Sequence, residues 1–161
     1  MSNLQNEYKV SQKFRQRLLE LIADFYFDNP DYSVYDFGVQ AGVSKNIIKH
    51  CVNYAIVPSA RTLIKIADCL NVSLSYLLAR TDENNFVKSE EPVTFQERLQ
   101  EVMKEKGLKQ ADITNKASFP KNSISVWLKR NIYPSLENLY VLASVLDVSP
   151  DYLLGRTDDR D

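Results

Sequence analysis

One histidine (His50), two cysteines (Cys51 and Cys69) and four scattered glycines are all that the chain offers for nucleophilic, metal-binding or phosphate-cradling chemistry. A single imidazole cannot build a His-based triad, and ligands this scarce cannot assemble a metal site. No glycine-rich phosphate loop is present. Carboxylate pairs such as Asp158-Asp159 fall in a polar tail, where solvation is the expected state. Catalysis is therefore not expected, and neither is a cofactor. What remains are amides, hydroxyls and ammonium groups. Lys45, Asn46, Lys49 and His50 lie in one stretch, and Gln110, Lys121, Asn122, Ser123, Ser125 and Lys129 in another. Such side chains bind rather than break bonds.

Charge supports binding only locally. The net charge of −1 carries no global signal. Between Asp36 and Asp68, however, there is no acid, while Lys45, Lys49, Arg61 and Lys65 fall there. Lys104, Lys106, Lys109, Lys116, Lys121, Lys129 and Arg130 face only Glu105 and Asp112 in the later stretch. Each stretch thus has a basic side. The alternative is an ordinary solvated helix face.

These residues must be positioned by elements that the chain writes twice. "PSARTLIKIADCLNVSLSYLLARTD", from Pro58 to Asp82, is answered by "PSLENLYVLASVLDVSPDYLLGRTD", from Pro134 to Asp158. Leu63 and Leu139, Ala67 and Ala143, Val72 and Val148, Tyr76 and Tyr152, and Arg80 and Arg156 recur at one spacing with no gap. Upstream, Phe14-Arg15-Gln16-Arg17-Leu18 answers Phe95-Gln96-Glu97-Arg98-Leu99 at a longer spacing. The first copy therefore carries about five extra residues between its first two helices. The domains are read as 1–82 and 93–161, joined by a polar, acidic linker at 83–92 that ends near Pro92 and whose acids would repel a phosphate backbone.

Dividing 161 residues this way gives units of roughly 65 to 70 residues, near the lower limit for a single apolar core without disulfides or metal. Helix-rich packing suits that size. Phe14, Leu18, Leu21, Ile22 and Phe25 recur at helical spacing, as do Phe95, Leu99, Val102 and Met103, so each copy opens with an amphipathic helix. Gly107 ends the second of these helices. Helices over 109–117, 120–129, 135–146 and 150–154 follow, with Pro120 in a first turn. The first copy parallels them at 34–41, 45–53 behind a Ser44 N-cap, 59–70 and 73–79. The fold class is all-α, with five short helices per copy. Cys51 and Cys69 have no counterpart cysteines in the second copy and read as small buried apolar residues. No run approaches a membrane span or a signal peptide, so a soluble, cytoplasmic protein with no membrane partner is expected.

A short helix, a turn of about three residues and a second helix with polar residues in its first turns is the layout of a helix-turn-helix. The second helix of such a unit fits a major groove about 12 Å wide.

Both copies resemble the phage-repressor and Cro-like (XRE-type) helix-turn-helix domain, most recognisably in the closing stretch ending "DYLLGRTD". The resemblance implies two lambda-repressor-like domains and a DNA-binding transcriptional regulator, often a dimeric repressor. It maps Gln110 to a backbone and outer-base contact, and Lys121, Asn122 and Ser123 to the start of the recognition helix, with Ser125 one turn on. Lysine can donate to guanine O6 and N7, and asparagine can pair bidentately with adenine. Lys129 belongs to the same implied set. In the first copy Lys45, Asn46, Lys49 and His50 hold the corresponding places, and Val34 replaces the glutamine. Gly38 and Thr114 occupy the position where the family packs a small alanine, and Leu128 and Arg130 stand in place of its glutamate and glycine.

Two readings follow. In one, the tandem domains read two half-sites of double-stranded DNA as a repressor. Their linker, about twelve residues, spans roughly 40 Å when extended, enough for half-sites about 34 Å apart. In the other, one or both domains no longer bind DNA and serve as a dimerisation or protein-interaction module, with a homodimer or a protein as partner. Exposure of Tyr32 and Tyr35 as a patch would favour the second reading.

Overall fold

The computed structural model describes residues 2–161, with side chains from residue 11 onward. Ten α-helices and no strand occur among the described residues, and the chain divides into two compact units, Met1–Phe86 and Val87–Asp161.

In the first unit, α1 (Ser2–Phe25) presents Phe14, Leu18 and Ile22, one turn apart and fully buried, to the core. A 3-10 turn (Val34–Asp36), α2 (Phe37–Ala41), α3 (Lys45–Tyr54), α4 (Ala60–Leu70) and α5 (Leu74–Leu77) complete it. Phe37, Ile48, Leu63, Ile66, Leu74 and Leu77 close the core. Ser44, Ser59 and Ser73 cap α3, α4 and α5 by accepting from the backbone N–H three residues on. The spacing predicts one helix over 34–41, and the structure splits it. Asp36 N–H bonds to Ser33 O, a tight i to i+3 closure, and α-helical bonding starts only at the buried Phe37.

The longer first-copy loop is filled by aromatic rings. Tyr32 stacks on Tyr26 at 4.8 Å, and Phe25 packs edge-on against Phe37 at 5.5 Å. Tyr32 and Tyr35 are half-buried and form no exposed patch. Burial, followed by the Asp36 charge, raises the Tyr26 phenol above its ordinary value.

In the second unit, Thr94 and Glu97 form a reciprocal capping box that opens α6 (Phe95–Lys106). Gly107 closes that helix in the left-handed region at φ 63°. Next come α7 (Gln110–Ala117), α8 (Ser123–Arg130), α9 (Leu136–Leu146) and α10 (Pro150–Leu153). Phe95, Leu99, Val102, Ile113, Ile124, Leu139, Leu142, Leu146 and Leu153 are its core.

Each unit is tied internally by an arginine on its first long helix. Arg17 Nη1 donates to Tyr76 O (2.9 Å) and Thr81 O (3.2 Å), with its guanidinium 4.0 Å over the Tyr76 ring. Arg98 Nη1 donates to Tyr152 O (2.9 Å) and Thr157 O (3.4 Å), 3.9 Å over the Tyr152 ring. Such a fork satisfies several acceptors at once. Arg160 lies on the same ring at 5.1 Å and bonds to Glu105 at 2.7 Å, which holds the Glu105 carboxyl below its ordinary value.

The composition of 83–92 predicts a free tether, and the structure differs. Asn84 accepts from Ser73 N–H at 3.1 Å within the first unit. From Val87 on, the chain is bound to the second unit. Thr157 Oγ1 donates to Val87 O (2.7 Å), Ser89 N–H to Arg156 O (2.9 Å), Ser89 Oγ to Asp158 Oδ1 (2.9 Å) and Val93 N–H to Gly155 O (3.3 Å). Ser89 is buried. Both ends of the polar stretch thus find backbone partners, and only a short piece around Asn85 lies between them.

Candidate nucleic-acid interface

In the second unit, α7 and α8 are joined through Ser118, which adopts the left-handed conformation (φ 57°). The sequence predicts the second of these helices from Pro120, with Lys121 and Asn122 in its first turn. Instead α8 starts at Ser123. Ser123 N–H bonds to Pro120 O at 3.0 Å, so Lys121 and Asn122 are the central residues of a turn before the helix, Asn122 at φ −96°, ψ 2°. The cause lies in Pro120. At the equivalent place Ser44 accepts from Ile47 N–H (3.3 Å) and starts α3 at Lys45, whereas proline has no side-chain acceptor. The three-residue turn predicted for both units therefore occurs only in the first, as Gly42-Val43-Ser44 with Gly42 at φ 69°.

The inner face of α8 is apolar. Ile124 and Trp127 are buried, Leu128 is half-buried, and Phe119 meets Trp127 edge-on at 5.4 Å, holding the turn against the helix. The outer face is polar. Gln110, at the start of α7, and Lys121, Asn122 and Lys129 are exposed, while Ser123 and Ser125 are half-buried. Lys109, Lys116 and Arg130, outside the predicted set, are also exposed. None of the five cations Lys109, Lys116, Lys121, Lys129 and Arg130 is in an ion pair among the described residues. The one nearby acid on α7, Asp112, accepts from Lys109 N–H at 2.8 Å. This face can attract phosphate along two helices and offer amide and hydroxyl groups to base edges.

In the first unit Lys45, Asn46, Lys49 and His50 share the exposed side of α3, but part of that set is engaged. Lys45 Nζ lies 2.9 Å from Asp36, and Lys49 Nζ sits 5.4 Å over the Tyr35 ring. The Tyr35 hydroxyl donates to Asn53 at 3.2 Å. The His50 and Tyr54 rings lie 6.2 Å apart. The sequence offers Asp36 only as the border of an acid-free stretch and Tyr35 only as a candidate for an exposed patch; the structure sets both against the lysines of α3.

Packing between the two short helices also differs. A Cβ on Gly38 would lie 2.6 Å from Val43 O, so α2 lies too close to the turn that leads into α3 to carry a side chain there. Thr114, at the matching place in α7, is buried and donates its hydroxyl to Ala111 O at 3.3 Å. Cys51 is buried on α3, which pushes its thiol up to about 11. Cys69, expected to be buried, is only half-buried, because it falls on the outer edge of α4. No group of His, Cys, Asp and Glu among the described residues is placed to hold a metal ion, and no described helix is long and apolar enough to cross a membrane.

Residues 98–159, most of the second unit, match the Cro/C1-type HTH DNA-binding domain. An uncharacterized HTH-type transcriptional regulator of Bacillus subtilis (strain 168), YobD, is 35% identical over 65 residues, which is 40% of this chain and 58% of the relative. The chain thus spans less than two thirds of the length of that curated relative. No solved structure matches the chain. The matches point to DNA binding rather than to an enzyme.

Proposed function

We propose that this protein is a sequence-specific, double-stranded-DNA-binding transcriptional regulator that acts as a repressor, with its second unit as the principal reader. The observation that carries this reading is the set of five exposed, unpaired cations around α7 and α8, in the unit that matches a DNA-binding domain. Lys109, Gln110 and Lys116 hold the backbone, while Lys121, Asn122, Ser123, Ser125 and Lys129 face the groove. Because Lys121 and Asn122 precede α8, they reach base edges from a turn and the serines from the helix.

In this proposal the first unit is a second, weaker reader, so the operator is two unequal half-sites. The constant spacing of the repeated residues supports a tandem arrangement, as do the matching Arg17–Tyr76 and Arg98–Tyr152 networks. One observation favours a different role for the first unit, as a dimerisation or protein-interaction module. Its face carries Lys45 and Lys49 where the second carries five cations, and Asp36 neutralises Lys45.

Selection from a random double-stranded DNA pool by the whole chain, repeated over a salt series, separates these readings. A bipartite, pseudo-symmetric motif whose affinity falls steeply with salt supports two readers. A single half-site assigns the first unit to a partner. Failure to enrich any sequence rules out specific DNA binding. Lys121→Ala with Asn122→Ala tests the site, and unchanged specific affinity would exclude those residues. A reporter placed behind the selected motif tests repression.

A further inference from the structure

We infer that Gln96, on the first turn of α6 and outside the helix-turn-helix, positions the recognition helix α8; this rests on the DNA-binding reading above. Its Nε2 donates to Trp127 O at 3.3 Å and to Ile132 O at 3.0 Å, the carbonyls that bracket the C-terminal end of α8. Trp127 O belongs to the last turn of α8, and Ile132 O follows the residue that caps it. Here the end turns at Asn131 in the left-handed conformation, with Asn131 N–H and Ile132 N–H also directed at Trp127 O. Gln96 thus ties α6 both to the last turn of α8 and to the segment that follows its cap.

The first unit does the same with a different residue. Arg15, like Gln96, directly follows the first core phenylalanine of its helix, and its Nε donates to Val52 O near the C-terminal end of α3. Two different donors at one structural position, aimed at the same end of the same helix, mark a requirement on that helix rather than a chance surface contact.

Geometry gives the reason. α8 has eight residues, and its inner contacts, Ile124 and Trp127, are apolar and non-directional. Apolar packing tolerates a small rotation or slide, whereas a hydrogen bond near 3.0 Å loses strength steeply with misalignment. A rotation of α8 about its axis would carry Ser125 and Lys129 off their groove positions. Gln96 touches no nucleic acid in this scheme; it fixes the angle from which other residues do.

The test compares the whole wild-type chain with Gln96→Leu, Gln96→Glu and Gln96→Arg, at a temperature where all are folded. Leu removes the donor, Glu presents an acceptor to two carbonyls, and Arg restores a donor as Arg15 does. Affinity for the selected DNA should fall about tenfold in the first two variants, in line with one lost hydrogen bond, with the salt slope unchanged, and should return in Gln96→Arg. Amide hydrogen exchange, measured without DNA, should accelerate at Asn131 and Ile132 in Gln96→Leu while α9 stays protected. Wild-type affinity in Gln96→Leu, failure of Gln96→Arg to restore it, or unchanged exchange at Asn131 and Ile132 would each overturn the inference. If the wild-type chain binds no DNA, the functional reading fails, and the exchange measurement still decides whether Gln96 anchors α8.

Discussion

Gly155 and Val93 lie backbone to backbone. Val93 N–H donates to Gly155 O at 3.3 Å, and a Cβ on Gly155, at φ +73°, would sit 2.0 Å from Val93 O. The corresponding first-unit residue, Ala79, also has positive φ (56°) yet is an alanine. The difference is the chain segment 87–93, which lies against 155–158 in the second unit.

Gly155→Ala should therefore destabilise the second unit by about 2–4 kcal/mol, combining overpacking with a left-handed alanine. Trp127 is the chain's single tryptophan and is buried in that unit, so its fluorescence during urea unfolding reports the loss directly. Protease sensitivity around Ser89 should rise with it. Ala79→Gly should change stability by no more than about 1 kcal/mol.

Arg98 should not be replaceable by lysine. Its guanidinium serves two carbonyls, lies over the Tyr152 ring and sits 3.1 Å from Glu101, from a buried position. A lysine ammonium cannot reach these together. Arg98→Lys should cost about 2–3 kcal/mol in the Trp127 unfolding transition, the scale of lost charged hydrogen bonds. Arg17→Lys should cost less in the first unit, followed by circular dichroism, because its carboxylate partner Asp82 is almost fully exposed.

The two faces should differ in salt dependence. Lys109→Ala and Lys116→Ala each remove an exposed, unpaired cation assigned to the phosphate backbone, and each should reduce the slope of log affinity against log salt by about 0.9. Lys45→Ala should reduce it less, because Lys45 already pairs with Asp36. Asp36→Asn should raise affinity at low salt by releasing Lys45. Filter binding or fluorescence anisotropy over a salt series reads all four.

Cys51 should resist alkylation at pH 8 until the first unit unfolds, while Cys69 reacts in the native state; mass spectrometry after iodoacetamide identifies the site. Burial raises the Cys51 thiol to about 11. Because the folded value is the higher, the contribution of Cys51 to stability is complete below the free-thiol value of about 8.5. It is lost as pH rises from there toward about 11. Cys51→Ala should remove that alkaline loss in urea titrations of the first unit.

Much of this architecture follows from local pattern. Phe14, Leu18 and Ile22 recur one turn apart, so any helix through them has one apolar side. Ser44 and Ser59 cap because a hydroxyl reaches N–H groups within its own turn, and Gly107 ends α6 because a left-handed residue strains any side chain. The basic outer residues of α7 and α8 were likewise visible in composition. Other features depend on partners far along the chain. Ser89 looks like a linker residue until Arg156 and Asp158 accept its hydrogen bonds, and Gln96 looks like a surface residue until Trp127 and Ile132 do. Lys45 looks like a phosphate contact until Asp36 lies 2.9 Å away. Even α8 starts late for a paired reason, since Pro120 matters only when set beside Ser44. Caps and stripes are satisfied within a few residues, so the chain alone reveals them. A hydrogen bond or ion pair between distant segments exists only once packing has brought its two ends together.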